Sequence, residues 1–203
     1  MARRATPAIN SMEFEIVSLK TKWINLLYKV ATGSKKVRTL LTPIGATFFI
    51  VFIVLFIFLS LQVDRLLKLP KLLPTPLNIF LSLPILFLGL FLILWSLLHF
   101  LKVKGTPVPF NPPPQLVMIG PYAHARNPML TGVFILLLGF GTIFRSVSLV
   151  FIFTPLFIFI NVLELKAIEE PELSKRLGEE YLEYKKRTPM FIPNLKVRSK
   201  KKR

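Results

Sequence analysis

The chain has 203 residues, a length for one compact unit, and 53% of them are hydrophobic, gathered into long runs. Its 27 Lys and Arg outweigh 10 Asp and Glu for a formal charge of +17; they flank the apolar runs instead of interleaving with aromatics, which fits anionic lipid and argues against nucleic acid. With no Cys and only two His, the composition excludes disulfides, a Cys nucleophile, thiolate metal centres and a His-rich metal site.

Residues 1–41 are polar and basic, with no apolar stretch of the kind a cleavable signal peptide has. Within them, residues 13–30 carry Ile16, Val17, Trp23, Ile24, Leu27 and Val30 at roughly helical spacing. The pattern reads as an amphipathic helix on a membrane surface, with Lys20, Lys22 and Lys29 reaching the headgroups, or else as a poorly ordered arm. Residues 42–101 predict two transmembrane helices. The first, 43–63, carries no charge and reaches about 31 Å at the rise of an α-helix, enough to cross a bilayer core. A Pro-rich turn, 68–76, leads to the second, 77–101, where Pro84 and Gly89 are tolerable in a membrane helix.

Residues 102–128 form a Pro- and Gly-rich loop, in which Pro107, Pro109, Pro112, Pro113 and Pro114 forbid a helix. A loop of that length in a compact protein is usually functional or disordered. The next apolar region, 129–163, is broken at Arg145, Ser146 and Ser148, and predicts a hairpin of helices 129–144 and 147–165. Gly139 and Gly141 allow close helix packing there. From Glu164 the chain turns polar, and Ile168, Leu173, Leu177, Tyr181 and Tyr184 mark one face of a surface helix that Gly178 divides. A basic tail, 196–203, follows. With four spans, 23 of the 27 basic residues fall on the side of the termini and the long loop, which places that side in the cytoplasm, in a bacterial inner membrane or an endoplasmic reticulum membrane. The expected fold is therefore all-α: a multi-pass membrane bundle of about four helices with its site at the cytoplasmic face.

Three segments converge on that face: Leu116 to Tyr122, Arg126 to Gly132, and Glu169-Glu170. Taken in order, Leu116, Val117, Gly120, Tyr122, Arg126, Asn127, Pro128, Gly132, Glu169, Glu170, Gly178, Tyr181, Tyr184, Pro189 and Pro193 resemble the isoprenylcysteine carboxyl methyltransferase and phospholipid methyltransferase superfamily. The resemblance spans residues 105–193, which together with the chain to 195 make up a methyltransferase core, 102–195. Asn127 stands where many members have His, Leu130 where many have Tyr, and Leu165 near the place of a basic, substrate-holding residue in the isoprenylcysteine enzymes.

The resemblance implies S-adenosylmethionine as methyl donor and a lipid or lipidated acceptor, an isoprenylcysteine-type carboxylate or a phospholipid amine. It assigns the cofactor to Gln115, Leu116, Val117, Tyr122, Asn127, Pro128, Met129, Leu130, Glu169 and Glu170. Arg126 and Asn127 become the candidate catalytic pair, Arg126 by orienting an acceptor carboxylate or phosphate through its charged fork. No metal is called for. Two other readings remain open: a nicotinamide-dependent reductase of the sterol type, and a lipid-binding membrane protein without catalysis.

Overall fold

The computed structural model describes residues 7–103, 106, 111–113 and 115–193, the side chains of 7–14 and 16 apart. The basic tail, Gly105, Pro107, Pro109, Pro114 and the side chain of Ile16 lie outside the described residues. Among those described, the secondary structure is helical with no strand, an all-α membrane bundle as composition predicts. An N-terminal helix α1 (Pro7–Thr32) is followed by α2 (Lys35–Leu66), α3 (Leu77–Lys102) and α4 (Pro128–Ile143). Among the described residues, three stretches are long and apolar enough to cross a membrane: α2, α3 and the run Leu149–Leu177. The 16 residues of α4 are apolar too, but cover only about 24 Å. Where four spans were expected, three helices have spanning length and the fourth is a shorter apolar helix.

Two boundaries differ from expectation. Helix α2 begins at Lys35, ahead of Pro43, because Ser34 caps it by accepting the Val37 N–H. The last span and the polar helix after it form one continuous run, with no break at Glu164. It reads π turn Leu149–Phe153, α5 (Thr154–Glu164), π turn Leu165–Glu169, α6 (Glu170–Leu177). Each π turn precedes a proline, Pro155 or Pro171. Proline lacks the N–H and its ring strikes the carbonyl four residues back; a widened turn relieves both, so the helix continues instead of ending. Gly178, at φ +59°, finally breaks it, and α7 (Glu179–Arg187) turns away.

The core centres on Phe157, fully buried, with Phe56 edge-on at 5.4 Å and Phe134 edge-on at 6.1 Å. Helices α3 and α4 cross where Gly89 faces Gly132: a Cβ on either glycine would come within 2.8 Å of the other's carbonyl oxygen. Gly132, a motif residue, therefore serves packing at least. One end of the bundle is stitched by polar groups. The Asp64 carboxylate accepts the Ser148 N–H at 3.0 Å, and Arg145 donates to the Leu73 carbonyl at 2.6 Å. The other end is open.

Candidate functional site

At that open end a cavity of about 600 Å³ lies between α2, α4, α5, α6 and the loop before Tyr122. Its outer wall is apolar and outward-facing: Phe48 and Ile50 of α2 and Ile160 of α5 line it and are themselves exposed. Its inner wall is polar, with Gln115, Asn161, Glu164, Glu169 and Arg176. Gln115, Leu116, Val117, Tyr122, Arg126, Asn127, Met129, Leu130, Glu169 and Glu170, all singled out from sequence, share this wall. Pro128 does not. It is buried as the first residue of α4, where its missing N–H has no helical partner to lose.

The two adjacent glutamates occupy different environments. Glu170 is buried and bound twice: the Arg126 guanidinium donates to Oε1, and Lys185 Nζ lies 2.6 Å from Oε2. Arg126 also donates to the carbonyls of Lys185 (3.0 Å) and Thr188 (2.9 Å). The backbone N–H groups of Arg126 and Asn127 reach the carbonyls of Pro189 (2.9 Å) and Met190 (3.0 Å). The start of α4 is thereby clasped to α6, α7 and the segment after α7. Two of the three guanidinium nitrogens of Arg126 are thus engaged within the protein, while its buried Nε has no partner among the described residues. Glu172 is likewise paired with Arg176 at 2.8 Å. Among the described residues the Glu164 and Glu169 carboxylates have no ion pair.

The π turn accounts for that pair of free carboxylates. In a regular helix, residues five apart diverge by about 140°. Across Leu165–Glu169 the backbone bonds from i to i+5, so Glu164 and Glu169 fall on one face. Without the surplus residue, Ile168 would take the place of Glu169.

Gly120, at φ +60°, begins a short 3₁₀ turn, Gly120–Ala123, that swings Tyr122 inward; a Cβ there would strike the His99 ring. Tyr122 meets Phe100 edge-on at 5.0 Å, and its carbonyl accepts the Tyr184 hydroxyl at 2.6 Å. Burial raises the ionisation of the Tyr122, Tyr181 and Tyr184 phenols well above the ordinary tyrosine range, so all three stay neutral. Asn161, Glu164, Glu172 and Arg176 were missed from sequence. Their helical spacing becomes continuous with Glu169 only once the wide turn before Pro171 is placed. Among the described residues no three His, Asp or Glu are grouped to hold a metal ion.

Fold and cavity together define a multi-pass membrane protein with an acidic chamber at one membrane boundary. A family model for phospholipid methyltransferases matches residues 77–180, just over half of the chain, which therefore belongs to that family of lipid-acting membrane methyltransferases. The match begins at α3 and takes in α4, the run Leu149–Leu177 and, within it, Glu164, Glu169, Glu170 and Glu172. No curated protein and no solved structure matches the chain.

Proposed function

We propose that the protein uses S-adenosylmethionine to methylate the amine headgroup of a membrane lipid. The observation that carries this is one cavity with two unlike walls: one with the unpaired acids Glu164 and Glu169, and an apolar one between α2 and α5 facing outward. A cavity of this volume is in the range of small-molecule and cofactor sites.

The residues suit a cationic cofactor. Glu169 is placed to accept hydrogen bonds from ribose hydroxyls or the amino group, and the backbone of Gln115 to Val117 offers amide and carbonyl groups to the adenine or carboxylate. The Tyr122 ring, kept neutral, and the carboxylates favour a sulfonium nearby. The bound cofactor supplies a methyl group that the acceptor's nucleophile takes in an in-line displacement, leaving neutral S-adenosylhomocysteine.

The charge balance of the lining favours an amine acceptor over a carboxylate. The two arginines of the wall are held by Glu170 and Glu172, while Glu164 and Glu169 remain unpaired. A carboxylate acceptor would find both lining arginines already paired. An ammonium headgroup would be attracted, and Glu164 can take the proton it must lose before the nitrogen attacks. The same committed arginines leave little for the phosphates of a nicotinamide dinucleotide. Arg126 and Asn127 act by positioning: the clasp fixes Met129 and Leu130 at the cavity wall. We place this end of the bundle in the cytoplasm, where the basic segments gather and a water-soluble cofactor enters.

The test is calorimetric binding of S-adenosylmethionine and S-adenosylhomocysteine to detergent-purified protein. Transfer of a labelled methyl group to phosphatidylethanolamine and to an isoprenylcysteine analogue is then compared. Binding with labelled phosphatidylethanolamine is the expected result. No binding of either cofactor form would refute the reading, and labelling of the isoprenylcysteine analogue alone would reverse the choice of acceptor.

A further inference from the structure

Among its described residues, helix α1 has two apolar faces, and one of them packs on the protein. Leu27 and Ala31 are buried, with Ile24 and Tyr28 half-buried; α1 packs on α6 and on the π turn Leu165–Glu169. Leu27 is part of the cavity wall. Two ties hold this face. Lys175 Nζ donates to Asn25 Oδ1 at 2.8 Å and lies 4.6 Å from the centre of the Tyr28 ring. Lys175 and Asn25 are exposed and Tyr28 is half-buried, so these contacts contribute little.

The second face is a stripe of Leu19, Trp23, Leu26 and Val30, spaced four, three and four residues apart, as one side of a helix requires. Leu19, Trp23 and Leu26 are 50%, 55% and 49% exposed. Exposed lysines border the stripe, Lys22 and Lys29 along one side and Lys20 along the other. Only Gly33 and Ser34 separate α1 from α2, so the stripe is held at the membrane boundary by the span that follows.

We infer that α1 is a lid on the cavity, docked through its Leu19–Trp23–Leu26–Val30 stripe and its lysines on an anionic lipid surface. The surface covers the stripe, and docking holds Leu27 against the cavity, so negative lipid closes the chamber. The charge supports this occupant over a second copy of the chain: from Pro7 to Arg38, α1 and the first turn of α2 carry Lys20, Lys22, Lys29, Lys35, Lys36 and Arg38 against Glu13 and Glu15, a net positive surface that a negative one attracts and a second copy does not. Closure follows from the cavity wall alone; only its meaning for a cofactor rests on the methyltransferase reading.

Because the chain has no Cys, Leu173→Cys in α6 gives a single reporter inside the cavity. Its reaction with a water-soluble maleimide is timed in nanodiscs of phosphatidylcholine alone and with about 30 mol% phosphatidylglycerol. Each lysine near an anionic surface contributes about five-fold to partitioning, so labelling should slow by at least about five-fold in anionic discs. Adding K20E, K22E and K29E should abolish the slowing while circular dichroism shows the helices intact. Trp23 emission, read as the difference from Trp23→Phe, should be quenched by brominated lipid in anionic discs only. Equal labelling rates in the two lipids, an unaltered response in the triple variant, or two copies per disc joined through α1 would overturn the inference. S-adenosylhomocysteine affinity in the same discs separates the two ideas. If labelling responds to lipid and no cofactor binds, the lid stands and the methyltransferase reading falls.

Discussion

Arg126→Met tests whether the clasp is structural. The guanidinium and its partner Glu170 are 11% and 7% exposed, so this is a buried pair rather than a surface one. Removing the arginine strands a carboxylate and leaves two carbonyls without their donor. Breaking a buried pair by deleting one partner costs about 3–5 kcal/mol. Lys185, 40% exposed, still neutralises one carboxylate oxygen, which points to the lower end, about 3 kcal/mol. At about 2–4 °C per kcal/mol for a chain of this size, the melting temperature should fall by about 6–12 °C. The assay is a thermal melt followed by circular dichroism in detergent. Arg126→Met combined with Glu170→Met removes the stranded charge and should recover a large part of the loss, giving a coupling of about 1 kcal/mol or more. A single variant that melts within about 2 °C of the parent, or a double variant no more stable than the single, would refute the argument. In that case Arg126 would be free to act on an acceptor, as its sequence motif first suggested.

Three further outcomes follow from the same geometry. Glu169→Gln should weaken S-adenosylhomocysteine binding by about 10–100-fold, the value of a hydrogen bond to a charged group, with an unchanged melt because the carboxylate has no ion pair to lose; calorimetry and a melt on one sample decide it. Gly132→Val places side-chain atoms against the Gly89 carbonyl and should destabilise by about 1–3 kcal/mol, read as a lower melting temperature, and a parent-like melt would contradict the close crossing of α3 and α4. Tyr122, Tyr181 and Tyr184 hold their protons more tightly folded than unfolded, so their contribution to stability is complete below pH of about 10 and is lost as pH rises past the ordinary tyrosine value. Tyrosinate absorbance should therefore appear together with alkaline unfolding. Ionisation of all the tyrosines near pH of about 10 with the fold intact would count against their burial.

The bundle was legible because its signal is coarse: uncharged runs bounded by Asp64, Arg65 and Arg145 need only length and polarity to be recognised. The cavity wall was legible through ordered motif residues: ten of the eleven positions singled out from sequence line it, and Pro128 starts a helix. Partnership was not legible. Glu169 and Glu170 are identical neighbours in sequence, and only folding shows that Arg126 and Lys185 take the second and leave the first. The contribution of Glu164 was hidden for a related reason. Periodicity assumes a constant turn, and the turn before Pro171 is wider than the α-helical one. The early start of α2 was obscured by Pro43, which marks a helix boundary more often than a helix interior.

The surplus residue in that wide turn makes the final helix unequally tolerant of changes in length. Deleting Ala167 would leave the two unpaired acids four positions apart, where ordinary helical winding still keeps them on a shared side. Inserting one more alanine would instead rotate the downstream acid by about 100°, away from its partner. Among descendants of this chain, shortening here is the survivable indel and lengthening the disabling one.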